Sequence, residues 1–242
     1  MKKTYVKSQK SKTKNQEIKS QELVVAFLEE NFEYASSSIL ADFRRLNQTR
    51  QAQVEQAAVR VLADKRLKQN EKLRSGAIRL IVALLPKTFP ILEKILSDCS
   101  SPLWYEVHFT AFSAFDRDDL SEADQKRVLM VVEQYLVNAK SEAGFAAWKA
   151  GDILGDEWYA PETVEILERL LSSARYVAGR NAALHGIQHA MTEATPSEKE
   201  RLLALVRRVA SKDPSAEVRD YANYTLTNGG CSRHSSGKQV TA

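Results

Sequence analysis

The chain has 242 residues and a formal net charge of +4, with 43% hydrophobic and 27% charged residues, the composition of a soluble, helix-rich globular protein. No apolar run exceeds six residues, the length of Leu80 to Leu85, against the roughly 20 that a spanning helix requires, so no membrane span is expected. Cys99 and Cys231 are the only cysteines, which excludes a disulfide framework and a four-cysteine zinc site.

Residues 1–22 carry seven lysines against Glu17 and Glu22, a local charge of +5. Lys2 and Lys3 suit the start of a signal peptide, but Lys7, Lys10, Lys12 and Lys14 stand where its apolar core should follow. A reducing cytoplasm is the expected location. The tail 230–242 adds Arg233 and Lys238, which leaves residues 23–229 at −3. Disorder is expected for residues 1–19 and 229–242.

Leu23, Val24, Phe27, Leu28 and Phe32 mark a first amphipathic helix, Ile39, Leu40, Phe43 and Leu46 a second, and Val54, Ala58 and Leu62 a third over about 49–65. These form a helical cap over residues 20–65. Downstream, each helix has its own start signal. Thr88-Phe89-Pro90 precedes Ile91, Leu92, Ile95 and Leu96, and Ser121-Glu122-Ala123-Asp124 opens a long helix through Leu136. Pro161-Glu162 opens the next, and Thr195-Pro196-Ser197-Glu198 combines capping-box spacing with proline at the first helical position. Asp213-Pro214 suggests a last helix with Asp213 as N-cap.

A second pattern runs through the other helices. Leu73/Ala77/Ile81, Val107/Ala111/Phe115, Ala146/Ala150/Leu154, Gly179/Ala183/Ile187 and Val218/Ala222/Leu226 each place a central alanine between two residues four positions away. The central alanines are 34, 39, 33 and 39 residues apart, the period of a two-helix repeat whose pairs bury their apolar faces only by stacking.

The pattern Asp-x4-Val-Arg-x2-Ala-x3-Leu over 213–226 resembles the first helix of a HEAT repeat, and Leu73-Arg74-x2-Ala77-x3-Ile81 is similar without the aspartate. The resemblance covers roughly 65 to 228. It implies an all-α, right-handed α-solenoid of about five HEAT-like helix pairs over 66–228 behind the irregular cap. It further implies that Arg74, Arg180 and Arg219 are structural rungs of an Asp/Arg ladder between repeats. His108 and Ala147 replace the arginine in two repeats.

Few residues exceed what packing explains. Trp104, Tyr105, Trp148, Asp152, Trp158, Tyr159 and Tyr176 form the candidate binding surface, since aromatic residues are the usual anchors of interfaces. Trp148 and Asp152 are four apart and share a helical face, an arrangement similar to that of the HEAT-like alkylpurine DNA glycosylases. His185 and His189 are also four apart. Gly186 occupies the place of the glutamate in a His-Glu-x-x-His site, and no metal or cofactor is expected there. No Gly-rich phosphate loop or nucleophile elbow is present, so no catalytic residue is assigned.

The expected function is a non-enzymatic protein-interaction module, an adaptor, scaffold or partner-neutralising protein whose partner is another protein. The alternative is a nucleic-acid-binding or base-excising protein using the lysine tail as a tether. A fold of this kind hosts many functions, so the site must decide.

Overall fold

The computed structural model describes residues 27–28, 36–63, 71–98, 105–140 and 143–228. Among the described residues every regular element is helical and none is a strand. In chain order they are α1 (Ser36–Arg45), α2 (Gln48–Ala63), α3 (Glu71–Ala83), α4 (Phe89–Ser97), α5 (Tyr105–Ser113), α6 (Glu122–Asn138), α7 (Gly144–Asp152), a π-helical segment (Ile153–Glu157), α8 (Pro161–Ser173), α9 (Val177–Glu193), α10 (Pro196–Lys212) and α11 (Ala216–Asn228). Of the first expected helix, Phe27 and Leu28 are described and are helical. Trp104, both cysteines and the two charged tails lie outside the described residues. No described helix is long and apolar enough to cross a membrane.

The start signals act locally. Ser121 caps α6, its hydroxyl accepting from the Asp124 amide at 3.2 Å. Thr195 and Glu198 close a reciprocal capping box at α10, the Glu198 carboxylate accepting the Thr195 amide at 3.0 Å. That hydrogen bonding, from the Thr195 hydroxyl first, holds the Glu198 carboxyl below its usual range.

The start of α11 differs from the sequence expectation. Asp213 is the C-cap of α10, and α11 begins at Ala216. The Asp213 carboxylate accepts the Ser215 amide at 2.8 Å and lies 2.9 Å from Nε of Arg180, so it turns the chain and receives an arginine instead of capping the helix.

By contact the chain divides into two compact units, residues 1–95 with 106–120, and 96–105 with 121–242. This division runs through the interval 66–228. In the first unit α3 packs against α1 and α2. Gly76 sits so close beneath Leu28 that a Cβ there would come within 1.8 Å of the Leu28 carbonyl oxygen. Arg74, buried, reaches Glu106 at 3.3 Å. His108 is fully buried, with Nε2 2.9 Å from the Ile95 carbonyl oxygen.

In the second unit α9 is the central helix, packed against α7 and the π segment, against α8, and against α11. All five marker alanines are fully buried, and of their ten flanking positions only Leu226 is partly exposed. Polar contacts repeat at the same period. Arg74 and Glu106 are 32 residues apart, Arg180 and Asp213 33, Arg169 and Glu133 36, Asn181 and Glu217 36. Arg219 is used within its own turn, donating to the Asp213 carbonyl oxygen at 2.6 Å.

Candidate functional site

The site is built on the contact between α7 and α9. Gly151 on α7 and Gly186 on α9 face each other, and Gly155 in the π segment meets the α9 backbone. A Cβ on Gly155 would stand 2.0 Å from the Gly186 carbonyl oxygen, one on Gly151 2.5 Å from that of Ala182, and one on Gly186 2.8 Å from that of Gly151. Only glycine permits backbones this close. The helices thus touch main chain to main chain, and the residues beside the glycines meet across a narrow seam. These are Asp152, next to Gly151, His185, next to Gly186, and His189, one turn after His185.

The geometry follows from that seam. His185 Nε2 lies 2.7 Å from Asp152 Oδ1, and His189 Nε2 lies 3.5 Å from the same oxygen. The two imidazoles, one helical turn apart, meet edge to face with centroids 4.6 Å apart. The Trp148 indole, one turn before Asp152, packs on His185 at a centroid distance of 4.1 Å. From α11, Tyr221 sets its ring edge to Trp148 at 5.4 Å and its hydroxyl 3.3 Å from His185 Nδ1 and 3.4 Å from Gln188 Oε1. Tyr224 stacks on Tyr221 at 6.0 Å and 12°.

The cluster therefore draws on α7, α9 and α11, and it is open on one side. Trp148 is 38% exposed and Tyr224 54%, while the His185, His189 and Asp152 side chains are half-buried. Phe145, one turn before Trp148, is 85% exposed and extends the apolar face of α7.

Two neutral tautomers are open to His185, and only the first satisfies both ring nitrogens. With the proton on Nε2 it donates to Asp152 and accepts at Nδ1 from the Tyr221 hydroxyl. With the proton on Nδ1 it donates to the Tyr221 hydroxyl, which donates in turn to Gln188 Oε1, and an unsatisfied Nε2 lone pair then faces the carboxylate. His189 is held below the usual imidazole range, first by burial and then by the charge of His185, against the opposing pull of Asp152 and Asp156. Asp152, His185 and His189 each offer one ligand atom, and these three atoms lie within 4.8 Å of one another. Across the π segment, Lys149 pairs with Glu157.

The residues expected to bind separate clearly. Trp148 and Asp152 are in the cluster. Trp158 is a correction: it is 3% exposed and cannot present a ring to a partner. Its amide closes the π turn by donating to the Ile153 carbonyl oxygen at 2.9 Å, and the widened turn carries the indole into the core. Tyr159 is half-buried, its phenol pushed up by burial and then by Glu198 and Glu193. Tyr105 is half-buried at the start of α5, and Tyr176 is exposed just before α9. Neither is among the ring contacts of the cluster.

Sequence reasoning passed over Tyr221, Tyr224 and Gln188, and considered the histidines without their third partner. A signal was available. Ala150 and Ala183 are 33 residues apart in the repeat register, and the same offset carries Asp152 onto His185. Comparison with protein-family models, with curated proteins and with solved structures found no match.

Proposed function

We propose that the chain is a non-enzymatic protein-interaction module, its helix pairs stacked as a right-handed HEAT-like solenoid, and that a protein partner docks on the face shared by α7, α9 and α11. The observation that carries this reading is the ring cluster of Trp148, His185, Tyr221 and Tyr224, drawn from α7, α9 and α11 and open to solvent at Trp148 and Tyr224. The rings are held by one another and by the glycine seam. Large aromatic anchors fixed before binding lose little side-chain entropy when a partner covers them.

Three features support the stacking: the buried marker alanines, the contact separations of 32 to 36 residues, and the Arg180–Asp213 and Arg74–Glu106 pairs at the arginine position. Ala183→Leu should overpack the centre of α9 and destabilise by about 1–3 kcal/mol. Partner capture from the native host tests the function. Wild-type protein should retain a partner that Trp148→Ala and Tyr224→Ala lose and that Phe109→Ala, exposed in the first unit, keeps. Equal capture by all four proteins would place the docking face elsewhere.

One observation favours a second reading. Trp148 and Asp152 do sit together on the open face, as they would in a nucleic-acid-binding protein or a DNA glycosylase of the alkylpurine type. Against it stands the charge of −3 over residues 23–229, which repels phosphates. Duplex binding across a salt series separates the two. Weak binding that disappears on removing residues 1–22 fits the interaction module. Tight binding kept without them, with base release from alkylated DNA lost in Asp152→Asn, establishes the enzyme.

A further inference from the structure

We infer that Asp152, His185 and His189 form a binding site for a divalent first-row transition metal, with two imidazole nitrogens and one carboxylate oxygen as ligands. The inference goes beyond the interaction reading and does not rest on it.

The donor atoms carry the argument. Two Nε2 atoms converge on Asp152 Oδ1 at 2.7 and 3.5 Å, and all three ligand atoms fit within 4.8 Å. Around a tetrahedral ion with bonds of about 2.0–2.2 Å, neighbouring ligand atoms stand roughly 3.3 Å apart. The His189 separation nearly meets that value, the His185 pair needs to open by about 0.6 Å, and the two imidazole nitrogens, within 4.8 Å of each other, close on the ion by side-chain rotation. His185 and His189, separated by one turn of α9, form the two-histidine half of such a site. The residue after His185 is no part of it: Gly186 is turned into the seam, towards Leu167 and the Gly151 carbonyl oxygen. The third ligand arrives instead from α7, because Gly151 lets the two backbones touch.

The surroundings match what such a ligand set requires. A metal-bound imidazole donates its other N–H to an acceptor that fixes the ring. His185 has the Tyr221 hydroxyl at Nδ1, and Tyr221 has Gln188 Oε1 to accept its own hydrogen bond. With a metal bound, the Nδ1–H tautomer turns the Nε2 lone pair of His185 to the ion; without one, the Nε2–H tautomer donates to Asp152 instead. Two neutral imidazoles and one carboxylate would leave a divalent ion with a charge of +1, on which the neighbouring Asp156 and Lys149 act with opposite signs. Imidazole with carboxylate suits Zn²⁺, Fe²⁺, Co²⁺ and Ni²⁺. Three protein ligands would leave at least one position open for water or a donor atom of a bound molecule.

The test uses the full, tag-free chain stripped with a chelator, Zn²⁺ in a calorimetric titration and Co²⁺ as a spectroscopic probe. We expect one Zn²⁺ per chain at micromolar or tighter affinity, and a visible Co²⁺ absorption typical of four or five ligands. Asp152→Asn and His189→Gln should each weaken Zn²⁺ binding by more than ~100-fold, and Tyr221→Phe, which removes only the support of His185, by about 10–100-fold. Circular dichroism and melting of each variant guard against misfolding. His189→Gln is the most conservative substitution, and its result stands if Asp152→Asn fails to fold. No Zn²⁺ uptake by the wild type at 100-fold excess over protein, on the order of millimolar, would overturn the proposal and leave an ordinary hydrogen bond between His185 and Asp152. Uptake unchanged in the folded variants overturns it too, since the metal would then sit elsewhere. Neither result bears on partner capture, which is measured on its own.

Discussion

The two units use the same residue type in opposite ways. In the first, His108 is fully buried and its Nε2 meets a backbone carbonyl oxygen, that of Ile95. In the second, His185 and His189 meet a carboxylate, share it, and reach solvent beside Trp148. Both kinds of histidine sit on helices with a buried central alanine, Ala111 and Ala183. Position relative to that alanine decides the outcome. His108 stands three residues before it, on the face that enters the core. His185 and His189 stand two and six after it, at the edge of that face. A histidine facing a main-chain carbonyl has a fixed partner and no charge to exchange. One facing an ionisable group is left with a choice of protons or cations.

The largest break in this comparison should come from the seam. In Gly155→Ala the new methyl would lie 2.0 Å from the Gly186 carbonyl oxygen, with backbone on both sides. The π segment and α9 must separate, at a cost of about 3 kcal/mol in denaturant unfolding. The cluster should loosen with it, seen as a changed Trp148 emission. Unaltered stability would mean that the close approach is not what holds the carboxylate to the histidines.

Next is His108→Leu. The shape is roughly kept, but the Ile95 carbonyl oxygen loses its buried partner, and a loss of about 1–3 kcal/mol is expected. Asp152→Asn and His189→Gln should cost less, under ~1 kcal/mol each in chelator-treated protein, because half-buried groups regain water. Should the order be reversed, with His108 neutral and the cluster costly, the assignment of structural and functional histidines would be exchanged.

Most of the helical layout was legible, and the reason is locality. Ser121, Pro161 and Thr195 each act within one turn, and the helices begin where they say. Asp213 misled because its carboxylate is taken by a residue 33 positions away, Arg180, which no local rule includes. Trp158 misled for a related reason. The π turn at Ile153–Glu157 abuts α9 through Gly155, and that contact, invisible in the segment itself, accompanies the indole's turn into the core. The site was half legible: Trp148 and Asp152 lie on one helix and could be paired by spacing, whereas His185 and Tyr221 join them only across repeats. The alanine register contained the first of those steps. The 33-residue offset from Ala150 to Ala183 is also the offset from Asp152 to His185.

The smallest expected effect on stability is the most direct on the comparison between buried and open groups. Trp148 and Trp158 are ten residues apart, yet one is 38% exposed and the other 3%. An indole in contact with solvent is open to collisional quenching, and one enclosed by side chains is shielded on the timescale of its emission. Acrylamide should therefore quench a component of the fluorescence that disappears in Trp148→Phe and persists in Trp158→Phe. Trp148→Phe keeps an aromatic face for His185 and Tyr221 and should leave the melting temperature nearly unchanged. Trp158→Phe removes part of a buried ring and should lower stability by about 1–3 kcal/mol. If the quenchable component instead followed Trp158, the open face of α7, and with it the docking surface, would have to be abandoned.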